Sequence, residues 1–276
     1  MVVEAGDSRA AVPLLVRGIP GSERLDAISP YSYPGAAVSG PPIDPAAIDL
    51  RPAGLVSVFV RDRLGDDPPA FAGGTDRSVV LVSDPDLERK SRMSDRQQIR
   101  KNAAAGYRTS VVEGPASTPA NLADFLAVYM ETMRTVSAAE HYFFDADYFR
   151  TLLRSPKSWL VEVTGPDGDI AAAALAVRSD GYLHYYLSGT ADAHRRRAPS
   201  KNLIIAANDL ADELELPLNL GGGLSPGDGL EEFKRGFANR ELPFRTHEIV
   251  ADPDAYAELS AGREDAGFFP LYRAPA

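Results

Sequence analysis

Between Leu218 and Phe237 the chain reads LNLGGGLSPGDGLEEFKRGF, a run that dictates its own local structure. A short apolar strand, Leu216 to Leu220, enters three successive glycines, and a Ser-Pro-Gly-Asp-Gly turn then opens a helix. Asp228 stands at the N-cap position with Glu231 three residues on, the spacing of a capping box. Phe233 and Phe237 recur at i and i+4, so an aromatic pair anchors one helix face. Lys234 follows the anchor and is placed to point back at the glycine turn. Glycines let a ligand approach the backbone, and a helix N-terminus favours negative charge.

Three familiar motifs do not explain this run. The glycines miss the dinucleotide-binding spacing and lack the Gly-Lys-Ser/Thr ending of a phosphate loop. Gly223-Leu224-Ser225-Pro226-Gly227 does match the nucleophile elbow of serine hydrolases. That elbow uses the N–H of the residue after the serine in its oxyanion hole, and Pro226 has none. A glycine-rich turn carrying a surface lysine remains the plain structural alternative.

A chain of 276 residues is long enough for one large domain or two small ones. Apolar content of 44% and charged content of 25% are those of a water-soluble globular protein. No apolar run reaches membrane-span length and no basic-then-apolar leader opens the chain, so a cytoplasmic location is expected. The absence of cysteine excludes disulfides, thiolate metal ligands and a cysteine nucleophile. Four histidines without clustered carboxylates suggest no metal site.

The net charge of −10 argues against broad nucleic-acid binding. Positive charge is nonetheless concentrated in two places. Arg89, Lys90, Arg92, Arg96, Arg100, Lys101 and Arg108 share one stretch with a single acid, Asp95. His194, Arg195, Arg196, Arg197 and Lys201 form the other. Such patches suit a defined polyanion, although a basic stripe can equally be a solvated helix face.

Taken in order, Val12 to Val16 reads as a strand. Tyr31 and Tyr33, one residue apart, share a side if extended; they either cap a core edge or line a cleft. Strands are expected at Leu55 to Val60 and Ser78 to Val82. Ser94-Asp-Arg-Gln97 is a capping box for a helix ending at Gly106, and helical geometry carried back to Arg89 would align Arg89, Arg92, Arg96 and Arg100. Tyr107 to Val112 is a strand. Thr118-Pro119 starts an amphipathic helix with Leu122, Phe125, Leu126, Tyr129, Met130 and Met133 on one face. A helix over Asp145 to Leu153 precedes an antiparallel meander of Trp159 to Val163, Ile170 to Val177 and Tyr182 to Ser188. Ser200 caps a helix to about Leu214, and a last strand lies near Phe244 to Val250. Phe268, Phe269 and Tyr272 would pin the tail.

That order resembles the GNAT acyltransferase fold. SPYSYPGA at 29–36, RMSDRQQIRKNAAAGY at 92–107, HYFFDADYF at 141–149, HYYLSGT at 184–190 and LNLGGG…DGLEEFKRGF at 218–237 together look like its FemABX-related branch. The resemblance implies an α/β (α+β) fold, a GNAT-like mixed sheet flanked by helices. Residues 107–276 would form the acyltransferase domain and 1–106 a shorter, degenerate GNAT-like half. Fem-type relatives move an amino acid from aminoacyl-tRNA to an amine, and their catalytic Phe-Lys pair matches Phe233 and Lys234. The shortness of the chain and the lack of a long helical arm favour a small soluble acceptor over a cell-wall precursor.

With no cysteine and a failed serine elbow, direct attack by the amine is favoured over a covalent acyl-enzyme. In the resembled fold a splayed strand, here Tyr182 to Ser188, presents backbone N–H groups to the acyl carbonyl. Simple alternation puts Tyr182, His184, Tyr186 and Ser188 on one face, with His184 or Tyr186 handling protons. His184 is as readily a satisfied core histidine. Lys234 is the expected cation at the developing charge. Tyr31, Tyr33, Ser188, Gly221, Gly222, Gly223 and Asp228 are the expected substrate-binding residues. Arg96, Arg100, Lys101, Arg195, Arg196, Arg197, Ser200 and Lys201 are expected at phosphates. The loop from His194 to Ser200 lacks the glycine of an acyl-CoA pyrophosphate loop, and Pro199 removes a donor. The expected co-substrate is therefore aminoacyl-tRNA, engaged at its 3′ end. An acyl-CoA donor, such as acetyl-CoA, and a non-catalytic domain binding a phosphorylated ligand are the competing readings.

Overall fold

The computed structural model describes residues 1–65, 68–223, 225, 227–264 and 267–274, His141 by its backbone alone. Its strands are β1 (Val2–Ala5), β2 (Ser8–Ala11), β3 (Leu15–Gly18), β4 (Leu25–Ile28), β5 (Ala37–Ser39), β6 (Leu55–Arg61), β7 (Thr75–Ser83), β8 (Arg108–Glu113), β9 (Ser158–Thr164), β10 (Ile170–Ser179), β11 (Tyr182–Thr190), β12 (Leu218–Gly221) and β13 (Arg240–Val250). The helices are α1 (Met93–Ala104), α2 (Pro119–Thr135), α3 (Ala146–Leu153), α4 (Ser200–Glu213), α5 (Gly229–Arg235) and α6 (Pro253–Ser260).

Two compact units emerge. The first joins Met1–Ser78 to Leu242–Ala276; the second is Val79–Glu241. The division thus falls before α1 rather than at residue 106, and the last strand belongs with the first residues. The physical reason is burial: Ile249 of β13 packs in one core with Val3, Leu55, Val58 and Phe71.

In the first unit β1, β2 and β5 form a small antiparallel sheet. Strand β4 pairs antiparallel with β3 and parallel with β6, which pairs antiparallel with β13. Of the single strand expected over Val12 to Val16, Leu15 and Val16 open β3, while Val12 to Leu14 are the gap between β2 and β3. Pro13 lies in that gap and has no N–H to give a ladder. Of the aromatics expected to pin the tail, Phe269 and Tyr272 do so, whereas Phe268 is exposed. Phe269 stacks between Phe59 and Tyr256 at 6.2 and 5.8 Å, and the Tyr272 hydroxyl meets Ser57 Oγ at 2.7 Å. Asp26, fully buried, accepts from Arg17 at 3.0 Å and from Arg273 at 2.5 and 3.1 Å.

The second unit is a mixed sheet in the order β7-β12-β11-β10-β9-β8. Every neighbouring pair is antiparallel except β11 and β12, which run parallel. Helices cover both faces, so β10 reads IAAAALAV, an unbroken apolar run rather than an alternating one. Ala171 to Ala174 and Ala176 are wholly buried, and their small side chains let α2 approach from one side and α4 from the other. Phe125 and Tyr129 of α2 pack edge-on against Phe149 of α3 at 4.9 and 5.3 Å. Each such ring contributes about 2–3 kcal/mol through burial. Thr118 and Asn121 close a full capping box at the start of α2. Among the described residues no helix is long and apolar enough to cross a membrane.

Candidate active site

Strand β12 delivers the glycine run to the start of α5. Asp228 caps α5, accepting from the Glu231 amide at 2.8 Å and the Ser225 amide at 2.9 Å. Glu231 reaches past the cap to the Gly227 amide at 3.0 Å, so the box closes one residue earlier than its usual form. A β-carbon on Gly223 would lie 2.8 Å from the Asp228 carboxyl carbon, so only glycine lets this loop seat on its own cap. Gly221, at a φ of 72°, turns the chain out of the strand. Pro226 and Leu224, on which the elbow argument turned, lie outside the described residues.

Phe233 meets Phe237 edge-on at 5.6 Å, and Phe237 is 1% exposed beside Leu218 and Leu220. This anchor fixes the rotation of α5. Lys234 is thereby turned back over the loop, its Nζ donating to the Gly222 carbonyl at 2.8 Å. Burial pushes the Lys234 ammonium down to about 8, against the opposing pull of the Asp228 carboxylate. A cation in this range is still charged at neutral pH and transfers a proton readily.

Across from this loop β11 is bulged. Ala176 opposes Tyr185 and Leu175 opposes Leu187, so Tyr186 is the extra residue. The insertion overturns simple alternation beyond it. Tyr186 remains on the face of His184, but Leu187 joins it against α2, while Ser188 moves to the α4 face and reaches the Tyr185 hydroxyl. Ser188 therefore leaves the face expected for it. Strand β12 follows β11 only through the rungs Leu183↔Leu218 and His184↔Asn219. Gly221 and Gly222 come two and three residues after the last of these rungs on one side, Tyr186 and Leu187 on the other. Gly222, whose carbonyl holds Lys234, thus follows the end of this pairing on one strand, and the bulge at Tyr186 follows it on the other.

His184, at the last of these rungs, is 8% exposed. Its Nδ1 accepts from Asn219 Nδ2 at 2.9 Å, and its Nε2 meets Ser179 Oγ at 3.0 Å. Burial holds its pKa below the ordinary value, with the Ser179 carbonyl opposing. A neutral histidine with both nitrogens engaged ties β11 to β12, which is the core role rather than the proton-handling one. Asn219 extends the link, accepting from the Gly221 amide at 2.7 Å. The sequence did carry a signal for Asn219: one amide inside an otherwise apolar strand.

The basic residues divide into tied and open. Helix α1 begins at Met93 with Arg92 at its cap position, not at Ser94, and Arg89 lies outside the helix. Arg89 pairs with Asp209 and Asp212 of α4, and Arg92 donates to the Glu232 carbonyl at 3.0 Å. Lys201 is neutralised by buried Asp95 at 2.7 Å, and Arg195 by Asp192. Arg96 donates to the Ser91 carbonyl at 2.5 Å. Among the described residues Arg96, Arg100, Lys101, Arg196 and Arg197 have no acid in ion-pair range, and all five are exposed.

The loop before α4 is a 3-10 turn over Asp192–Arg197. Pro199 occupies the cap position, so Ser200 is the first helical residue and caps nothing. The Ala198, Lys201 and Asn202 amides bond to the loop's own Arg195, Ala198 and Pro199 carbonyls. The Arg197 carbonyl accepts from Gln98 at 3.2 Å and Asn102 at 2.8 Å, which seats the loop on α1. His194 anchors its start, bridging the Tyr107 hydroxyl at 2.8 Å and Asp169 at 2.7 Å.

Tyr31 and Tyr33 belong to the first unit. Ser32 between them has a φ of 79°, so the segment is not extended and alternation does not align the rings. Tyr33 packs edge-on to Phe244 at 5.5 Å, and Tyr31 is exposed. Among the described residues no three histidine or carboxylate groups are gathered to hold a metal ion.

Residues 89–235 match the sequence profile of the acetyltransferase (GNAT) domain. No curated protein matches the chain. Among solved structures, FemX superposes with a TM-score of 0.63 at 11% identity, over 93% of this chain and 90% of that one. L-PGS from Bacillus licheniformis gives 0.61 at 14% identity, over 90% and 85%. The C-terminal domain of a putative lysylphosphatidylglycerol synthetase from Agrobacterium fabrum gives 0.57 at 14%, over 92% and 84%. At such identities the likeness is one of fold. With the sequence match spanning more than half of its residues, the chain belongs to the acetyltransferase (GNAT) domain family.

Proposed function

We propose that the protein is a Fem-like aminoacyltransferase, which moves an amino acid from the 3′ end of aminoacyl-tRNA to the amine of a small soluble acceptor. The observation that carries this reading is Lys234, buried and held by the Gly222 carbonyl just after β12. In the reaction the neutral amine attacks the ester carbonyl carbon. Charge then builds on the carbonyl oxygen and on the departing 3′ oxygen. The Lys234 ammonium, partly stripped of water, stabilises that charge more strongly than an exposed lysine would. Phe233 acts through packing, by fixing the turn of α5.

Two features support tRNA as the donor. The Ala198, Lys201 and Asn202 amides of the α4 loop are used within the loop, which leaves them poorly suited to wrap a pyrophosphate. Five exposed cations without acidic partners, among them Arg100 and Arg196, suit the spaced phosphates of a nucleic-acid strand. The names of the structural neighbours, FemX and lysylphosphatidylglycerol synthetase, are in keeping with an aminoacyl group as the moiety moved. The matching family's name favours the second reading, an acyl-CoA-dependent N-acyltransferase on the same scaffold.

The test is transfer from radiolabelled aminoacyl-tRNA into a pool of small amines, with ribonuclease-treated and acetyl-CoA arms. Ribonuclease-sensitive product that vanishes in Lys234→Ala supports the proposal. Product from acetyl-CoA alone replaces it with the second reading.

A further inference from the structure

Between α2, α3 and the loop that follows β8 lies an open cavity of about 470 Å³. Small-molecule sites occupy about 300–1,000 Å³, so the space is of ligand size. Leu122 and Leu126 of α2 and Leu153 of α3 give it an apolar wall, and Pro115 and Pro119 line it beside them. The cavity shares no residue with the Lys234 site, and in the sheet β9 and β10 stand between β8 and β11.

Its walls are fixed from several sides. A β-carbon on Gly114 would run into Ser158 Oγ and the Leu153 carbonyl, so the loop meets the end of α3 at backbone range. The Ser158 hydroxyl donates between the Leu152 and Ser155 carbonyls at 2.9 and 2.8 Å, which ties that end to β9. Phe125 and Phe149 join the two helices edge-on at 4.9 Å. Leu122 and Leu126 are nonetheless left half-buried. Covering them is favourable in proportion to the apolar area taken from water.

The polar groups around the cavity are unevenly spent. The Ser117 hydroxyl donates to the Gly114 carbonyl at 2.6 Å, and the Thr118 hydroxyl to Asn121 Oδ1 at 2.7 Å. The Ser117 and Thr118 amides also donate, each at 3.0 Å, to the Gly114 carbonyl and to Asn121 Oδ1. Pro115 and Pro119 have no N–H. What remains is positive charge. Arg150 and Arg154 line the cavity and no acid does, on a chain whose net charge is −10. Arg154 keeps helical geometry past the end of α3, with φ −72° and ψ −16°, so the two arginines share a helix face one turn apart, where like charges repel. Arg150 is paired with Asp147, whereas Arg154 has no acid in ion-pair range among the described residues.

We infer that this cavity is a second binding site, for a small amphipathic carboxylate whose apolar body lies between α2 and α3 and whose head pairs with Arg154. One guanidinium fork meets both oxygens of a carboxylate. A phosphate head would bring a further oxygen and more charge, and the loop amides that could meet them are spent. The assignment stands apart from the acyl transfer, so binding alone judges it.

The experiment is calorimetric titration of the full chain with octanoate and with 3-phenylpropionate. Acetate tests the head alone, octanol the body alone and octyl phosphate the other head. Both acids are expected to bind with a Kd below about 1 mM, and acetate and octanol at least about 10-fold more weakly. Arg154→Gln is expected to weaken both acids about 10-fold and to leave octanol unchanged. Ala123→Phe sets a ring at the cavity from an exposed position of α2 and is expected to abolish binding. Both positions are exposed, so each variant should keep the melting temperature of the unliganded parent. Octanol bound as tightly as octanoate, octyl phosphate bound more tightly, or either variant holding the acids as the parent does overturns the assignment. So does a parent that binds neither acid.

Discussion

Replacing Lys234 by methionine should abolish turnover and yet stabilise the protein. In the folded chain the ammonium has left water, and its pKa falls from 10.5 to about 8. A fall of this size makes the charged folded form about 3 kcal/mol less favourable than an exposed lysine would be. Methionine keeps the length and the apolar stem, but it strands the Gly222 carbonyl, which Lys234 now satisfies. A lost hydrogen bond of this kind returns about 1–2 kcal/mol. The net gain expected at pH 7 is thus about 1–2 kcal/mol. The pH dependence gives the sharper signature. Between about 8 and 10.5 the unfolded chain binds a proton that the folded chain has released, so parent stability rises with pH across this window. Lys234→Met lacks that rise, and its advantage should shrink steadily from about pH 8 and turn into a deficit at about pH 9. Urea unfolding of both proteins at several pH values measures the difference directly, other alkaline titrations being common to the two. A variant that is weaker at pH 7, with a gap independent of pH, would refute a desolvated lysine at this site.

Four further outcomes follow from the same geometry. Gly223→Ala drives a methyl into the Asp228 carboxylate, so the α5 cap should be lost at about 1–2 kcal/mol in the unfolding midpoint; an unaffected midpoint would show that the loop seats otherwise. His184 is kept neutral by burial, so the parent should lose stability as pH falls below the ordinary histidine value, and His184→Gln should lack that acid component. Arg273→Ala takes the two-pronged partner from buried Asp26 and should cost about 3 kcal/mol in urea unfolding; a loss below 1 would mean that Arg17 alone suffices. Neutralising Lys101, Arg196 and Arg197 together should flatten the plot of log tRNA affinity against log salt by about 2 units, while a parallel, merely lower line would place the RNA elsewhere.

The glycine turn was legible because each of its determinants is local. Asp228, Glu231, Phe233 and Phe237 act within two turns of helix, so spacing alone sets where Lys234 points. The strands of the second unit were legible for a similar reason, each being a strongly apolar run between turns. The face of Ser188 was not legible, because it depends on one unpaired residue in the ladder with β10, and HYYLSGT alternates smoothly on paper. Nor did sequence distinguish the open arginines from the tied ones. Arg89 and Arg92 are bound by acids some 120 to 140 residues away, while Arg196 and Arg197 are not. The hydrogen bond between the Tyr148 and Tyr186 hydroxyls spans 38 residues and two elements, and motif reading treats each segment alone. The helix starts at Arg92 and Pro199 show the reverse limit: a good capping sequence at Ser94 or Ser200 gave way to tertiary contacts that wound the helix earlier.

The division of the chain has a consequence for how the protein is made. Val79–Glu241 is one uninterrupted segment, whereas the unit that surrounds it in sequence needs both flanks. On a ribosome, which releases the chain from its N-terminus, the inner segment has all its strands available while the outer core still lacks β13. Until then Asp26 waits for Arg273, 247 residues downstream, and Ser57 for Tyr272, 215 residues downstream. Val58 and Phe71 therefore leave the ribosome long before Ile249 of β13, with which they share a core. Any chaperone or protease that watches this protein during synthesis would find its target near the N-terminus, although the bonds that hide that target are formed by the C-terminal tail.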